Sequence, residues 1–139
     1  MNIRSKNRNG ERNHVLILDD EEGSRVLLAR IGEEVGYETC IASNIDEFIQ
    51  QFALNQPTFL ILDVFLGNEK IETIFGFLRS QRYTGPVALV SGYAVREMDA
   101  LVADAVGKGI LIAGLFEKVS MFTTLRKQLE VYYRGARVA

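Results

Sequence analysis

Short apolar runs punctuate the chain: VLIL at residues 15–18, FLIL at 59–62, VALV at 87–90 and LIAGLF at 111–116. A continuous apolar stretch of this length is the signature of a strand covered on both faces. YETCIA, residues 37–42, adds a further strand. Helical spacing fills the gaps. Leu27, Leu28, Ile31 and Val35 form one stripe over 21–35, and Gly36 supplies a stop. Ser43 or Asn44 can cap a helix carrying Ile45, Phe48, Ile49, Phe52 and Leu54, which Pro57 ends. Ile71, Ile74, Phe75 and Leu78 mark a third helix, and Gly85 and Pro86 a turn. Val95, Met98, Leu101, Val102, Ala105 and Val106 mark a fourth, broken by Gly107 and Gly109. Ser120 can cap the last, in which Phe122, Leu125, Leu129 and Tyr132 share a face. Five strands alternating with five helices imply βαβ crossovers. The expected fold is α/β, a (βα)5 doubly wound three-layer sandwich around a parallel five-stranded sheet of order 2-1-3-4-5.

At 139 residues the length fits one domain. Residues 1–12 read as a flexible leader, 13–134 as the domain and 135–139 as a tail. Sixteen basic and 18 acidic side chains leave a formal charge of -2, which gives no broad electrostatic reason to bind nucleic acid or anionic lipid. No apolar run reaches a membrane span and the first residues lack a signal-peptide core, so the expected compartment is the cytoplasm. Cys40 and His14 are the single cysteine and histidine, which excludes an internal disulfide and disfavours a Cys/His zinc cage or catalytic pair. Cys40 reads as an apolar filler on a strand, His14 as a strand start.

The polar residues at the strand ends carry the chemistry. Strand one ends in Asp19 and Asp20, strand three in Asp63 and strand four in Ser91, and Lys118 follows strand five. In open parallel sheets the functional crevice lies outside the carboxyl ends of the strands, where strand order reverses. For the order 2-1-3-4-5 that point falls between strands one and three, which bear the acids. Carboxylates about 4 Å apart repel by very roughly 4 kcal/mol at an effective dielectric near 20, so three together call for a cation. Oxygen ligands without His or Cys favour Mg²⁺. Glu21 and Glu22, next in sequence, read as acids favoured at a helix amino end. Asp63 is the candidate nucleophile toward phosphorus, with Lys118 supplying positive charge and Ser91 a hydrogen bond to a phosphoryl oxygen.

The ordered set LILDDE, LILDVFLG, LVSGY and FEKV resembles the receiver domains of two-component response regulators, which are CheY-like, flavodoxin-like proteins. The resemblance covers residues 13–134. It implies a bacterial cytoplasmic phosphoprotein that accepts a phosphoryl group on Asp63 from the phosphohistidine of a sensor histidine kinase or phosphotransfer protein. Mg²⁺, or Mn²⁺, would be held by Asp19, Asp20, Asp63 and the backbone carbonyl of Phe65, with Asp20 the more direct of the acidic pair. Such a protein is not an enzyme in the ordinary sense, although it assists its own phosphorylation and dephosphorylation. Further implied partners are an output domain or effector protein and a second copy through the fourth helix and fifth strand.

Four departures stand out. Val119 replaces the usual proline after Lys118, and a non-proline cis bond costs about 2.5–4 kcal/mol, so the expectation is a trans bond with a rearranged loop or a retained strained one. Leu115 holds the position of the usual aromatic switch, and Phe116 is expected on the opposite face. The loop after Asp63 has Gly67 and NEKIE in place of the usual proline and Asp-Gly pair. Phe65 brings bulk two residues after Asp63, which would restrict water attack on an acyl phosphate. These departures motivate an alternative, a pseudo-receiver that signals by binding alone. A flavin binder or small hydrolase on the same sheet fits less well, because DDEEGSR puts acids where a phosphate cradle belongs and Phe65 stands where a phosphatase's second acid would be.

Two smaller readings complete the sequence. Tyr93 either gates the site or covers apolar surface, and the Tyr pair of VYYRGARVA is expected to pack. Leu101, Val106, Ile110 and Leu111, around the fourth helix and fifth strand, are expected mostly in the core.

Overall fold

The computed structural model describes residues 12–92, 98–118 and 121–135. Tyr93, Val95, Val119 and Ser120 lie outside the described residues, and so do the Lys118–Val119 bond, the last helix's cap, the side chain of Phe122, and residues 1–11 and 136–139. The order is β1 (His14–Leu18), α1 (Glu22–Val35), β2 (Glu38–Ala42), α2 (Ile45–Asn55), β3 (Phe59–Asp63), α3 (Ile71–Ser80), β4 (Pro86–Ser91), α4 (Met98–Gly107), β5 (Leu111–Glu117) and α5 (Met121–Tyr132). All four strand pairings are parallel, in the order β2-β1-β3-β4-β5. The (βα)5 fold expected from the alternation is the fold observed.

Alternation along each strand sorts its side chains into two cores. Leu16, Leu18, Leu60, Leu62, Val87 and Leu89 face α2, α3 and α4, meeting Phe48, Ile74, Phe75 and Ala105. Val15, Ile17, Phe59, Ile61, Ala88 and Val90 face α1 and α5, meeting Leu28, Ile31, Leu125 and Leu129. β1, β3 and β4 are buried along their whole length, which is why they read as unbroken apolar runs. Of the two residues able to cap α2, Asn44 does so, its side chain accepting the Glu47 N–H.

The ends of the chain's described core are tied together. Asn13 Nδ2 donates to the carbonyl of Arg134 (3.1 Å) and the Arg134 N–H donates back to Asn13 Oδ1 (2.7 Å). Tyr133 stacks edge-on against Tyr37, and Tyr132 against Phe59, so the Tyr pair packs as the sequence suggests. Tyr37 also donates from its hydroxyl to the carbonyl of Leu129 (2.8 Å).

One expectation about the core is corrected. Ile110 is buried and Leu101 partly so, but Val106 is 58% exposed and Leu111 46%. For Leu111 the reason lies at the sheet edge: among the described residues β5 has no strand beyond it, and it shifts register between Val87 and Ala88, skipping Ala113. Phe116 does lie on the opposite face from Leu115: it packs in the α1/α5 core, its ring folded over Gly114, where an added Cβ would meet it at 2.6 Å. Leu115, level with Leu89, stays 46% exposed.

Tyr37→Phe is expected to lose about 0.5–1.5 kcal/mol, because a buried carbonyl loses its donor while the ring contacts remain. Urea denaturation with an unchanged m-value would show it.

Candidate phosphoacceptor and metal site

Leu18 is in register with Leu62, so β1 and β3 end level with one another and deliver Asp19 and Asp63 to the same point. Beyond the last apolar pair the two cores close, and polar groups become affordable. Asp19 is fully buried and Asp63 nearly so, while Asp20, the next residue along, is exposed. One oxygen from each of these three carboxylates lies within 4.8 Å of the others.

Both buried acids are held by backbone. The Phe65 N–H donates to Asp63 Oδ1 (3.0 Å), and the Glu21 N–H to Asp19 Oδ1 (2.9 Å). Arg25 Nη1 donates to the Asp19 carbonyl (2.8 Å), fixing the end of β1 against the first turn of α1. β5 brings Lys118, whose N–H donates to the Ser91 carbonyl (2.8 Å). Its Nζ lies 3.0 Å from Asp63 Oδ2 and 2.9 Å from Asp19 Oδ2. Lys118 thus bridges the two buried acids, hydrogen-bonded to Asp63 and ion-paired with Asp19. Ser91 is buried one residue past Val90, the β4 partner of Asp63.

Electrostatics follow from this packing. Burial raises the Asp63 pKa from 3.8 to about 6, against the lowering effect of the Phe65 N–H and Lys118. Burial by itself would lower the Lys118 pKa, but the two carboxylates outweigh it and the value is raised. One ammonium thus faces three acids, and the cluster is short of positive charge. Three convergent carboxylates sharing a single ammonium fit a hard divalent cation, and no thiol or imidazole lies among them to favour a softer one. A pocket of about 370 Å³, lined by Asp20, Glu21, Asp63, Phe65, Gly67, Gly92 and Lys118, opens over the cluster, with the Phe65 ring exposed on its rim.

Asp19, Asp20, Asp63, Lys118 and the Phe65 backbone therefore come together, with Ser91 behind them. Leu115 does not reach this pocket's lining. His14 and Cys40, read separately in the sequence, are neighbours across β1 and β2, with Nε2 3.0 Å from Sγ. Burial pushes that thiol's pKa up to about 12, which leaves it protonated and a poor nucleophile. Glu21 and Gly92 line the pocket without having been singled out for it; adjacency to Asp20 and Ser91 in sequence is the signal that could have found them.

No protein-family model matches the chain. The nitrogen assimilation regulatory protein NtrX of Azorhizobium caulinodans is 27% identical over 81 residues, 57% of this chain and 18% of that protein. The chain thus spans under a fifth of the length of this curated relative. A response regulator from Burkholderia pseudomallei, solved with a phosphorylated aspartic acid, calcium and citrate, is similar at a TM-score of 0.70 and 25% identity over 84% of this chain and 66% of that one. The response regulator TrrA of Thermotoga maritima, solved with Mg²⁺ and BeF, is similar at a TM-score of 0.72 and 22% identity over 87% and 99%. The fold is that of response regulator receiver domains, as the sequence motifs suggested. Such domains are signalling modules rather than classical enzymes. Among the described residues, no helix is long and apolar enough to cross a membrane.

The raised Asp63 pKa carries a sign for stability. A carboxyl that binds its proton more tightly when folded leaves the native state unburdened below about pH 3.8, and the burden grows as pH rises through about 6. In metal-free protein, Asp63→Asn is expected to raise the melting temperature at pH 7.5, with the gain shrinking as pH falls from 6 toward 4. Thermal melts across that range in chelator would measure it.

Proposed function

We propose that this chain is a phosphoacceptor receiver of a two-component system, in which Asp63 takes a phosphoryl group from a phosphohistidine and the conformational change that follows is the signal. The observation that carries the reading is a buried carboxylate held between the Phe65 N–H and Lys118, beside two more acids and under an open pocket. The phosphorylated aspartate of the Burkholderia protein and the Mg²⁺ of TrrA support it by analogy.

Asp19, Asp20, Asp63 and the Phe65 carbonyl would hold Mg²⁺ or Mn²⁺. When bound, the ion neutralises charge on the phosphoryl oxygens and relieves repulsion among the acids. The protein's own groups do the rest. The Phe65 N–H fixes the Asp63 carboxylate, whose oxygen forms the new P–O bond as the P–N bond of the donor breaks and the imidazole leaves with the electron pair. Lys118 stands where it can pair with a phosphoryl oxygen once the Asp63 carboxylate charge is lost in forming the acyl phosphate, and Ser91 is the hydroxyl assigned to another. Phe65, exposed on the rim, shields the acyl phosphate from water.

The donor would be a sensor histidine kinase or histidine phosphotransfer protein, and the compartment the cytoplasm. The face carrying Val106, Leu111 and Leu115 is the proposed contact for an output domain, an effector or a second copy. With Leu115 in place of an aromatic, the change at that face is one of aliphatic packing. The functional unit is residues 13–134, a boundary supported by the reciprocal Asn13–Arg134 hydrogen bonds.

Intact mass after incubation with acetyl phosphate and Mg²⁺ tests this reading. The expected result is a gain of about one phosphoryl group that disappears with chelator and in Asp63→Asn. No gain, repeated with a cognate kinase, would favour a module that signals by binding alone. Phe65→Ala is expected to shorten the half-life of the phosphorylated form several-fold; an unchanged half-life would remove the shielding role.

A further inference from the structure

We propose that Glu69 is a positioning residue for the metal site, latching the loop that follows Asp63 to the amino end of α2. The inference rests on the metal-binding reading above. The loop, residues 64–70, leaves β3 under restraint: the Val64 N–H donates to the Val90 carbonyl (3.0 Å), and the Leu66 side chain is buried in the α2–α4 core. Phe65 lies between these two anchors, its N–H on Asp63 and its carbonyl a proposed ligand. Gly67 then reverses the chain at φ +62°, and Leu66 and Glu69 pair as an isolated antiparallel bridge, closed by the Glu69 N–H on the Leu66 carbonyl (3.1 Å).

The far side of this turn is less constrained. Lys70, which precedes α3, makes no side-chain cap. Glu69 compensates by reaching across to another element, where its Oε1 accepts the N–H of Ile45, the first residue of α2 (3.2 Å). That N–H is one of the donors a helix leaves unsatisfied at its amino end, and a carboxylate there gains from the helix dipole as well. Asn44 and Glu47 fasten the neighbouring groups of the same end, so Glu69 is bound to a rigid point. A four-residue turn pinned to α2 at one end and to Asp63 at the other keeps the Phe65 backbone aimed at the acids. Without the latch the segment beyond Gly67 is tied only by its own bridge to Leu66, and the restraint that this bridge passes back through Leu66 to the Phe65 carbonyl is weakened.

Calorimetric titration of Mg²⁺ into the wild type, Glu69→Ala and Glu69→Gln tests the latch, with Asp20→Asn as the control lacking a ligand. Glu69→Ala is expected to bind Mg²⁺ about two- to fivefold more weakly, in line with one carboxylate at a helix amino end. Glu69→Gln, which keeps the acceptor oxygen but not the charge, should lie near the wild type. In ¹⁵N-resolved spectra the Ile45 amide should shift on Mg²⁺ addition in the wild type and Glu69→Gln but not in Glu69→Ala, and metal-free Glu69→Ala should stay folded while melting slightly below the other two, having lost an acceptor at the amino end of α2. Equal affinities for wild type and Glu69→Ala would overturn the positioning role alone. So would a Glu69→Gln as weak as Glu69→Ala, since charge and not the latch would then be the cause. A wild type indifferent to Mg²⁺ would overturn the metal reading and this role with it.

Discussion

A strand covered on both faces can carry charge only where it leaves the sheet. That constraint organises this molecule. β1, β3 and β4 are buried along their whole length, so their carboxylates wait until the last apolar pair, and parallel pairing makes the ends of β1 and β3 coincide. The same rule that builds two dry cores gathers the acids at one edge. Desolvating them there is unfavourable, and the fold offsets the penalty with backbone N–H groups from the loops that follow each strand and with an ammonium from β5.

The offset is incomplete, and the shortfall gives the site its chemistry. Asp63 remains harder to ionise than a free carboxylate because burial outweighs its two hydrogen bonds, and one ammonium has to serve both buried acids. A carboxylate cluster so poised has a deficit of positive charge that a divalent cation would meet. The ionised form of Asp63 is therefore a cost to the fold, since burial disfavours its charge. The β3–α3 loop takes part in the same balance, holding the Phe65 amide on Asp63 while presenting the Phe65 side chain to the pocket.

Much of this was legible in the chain. The runs VLIL, FLIL and VALV announced two-sided burial because continuous apolarity has few other uses at that length, and the helical stripes between them implied crossovers. Asp19, Asp63, Ser91 and Lys118 could then be picked out by their places at strand ends. Other features were not legible. The exposure of Leu111 depends on which side of an edge strand is left uncovered, and the bulge at Ala113 shifts β5 against β4 without any glycine or proline at that residue to mark it. His14 meets Cys40 only because β2 lies beside β1, at a diagonal that depends on register. Nor does anything local to Glu69 reveal that it reaches an amide 24 residues back.

By itself, then, the sequence determined the class of fold and the edge of the sheet where polar chemistry must sit, because periodicity and strand length are local properties that burial makes visible. Only the tertiary structure decided how the adjacent acids divide their labour. Asp19 is sealed beneath Lys118 while Asp20 faces solvent, a difference set by the direction in which the chain turns out of β1 and by what the neighbouring strands bring to meet it. Distances between groups far apart in sequence, from Lys118 to Asp63 and from Glu69 to α2, exist only once the strands have paired and the helices have packed, and those distances make a site out of a list of residues.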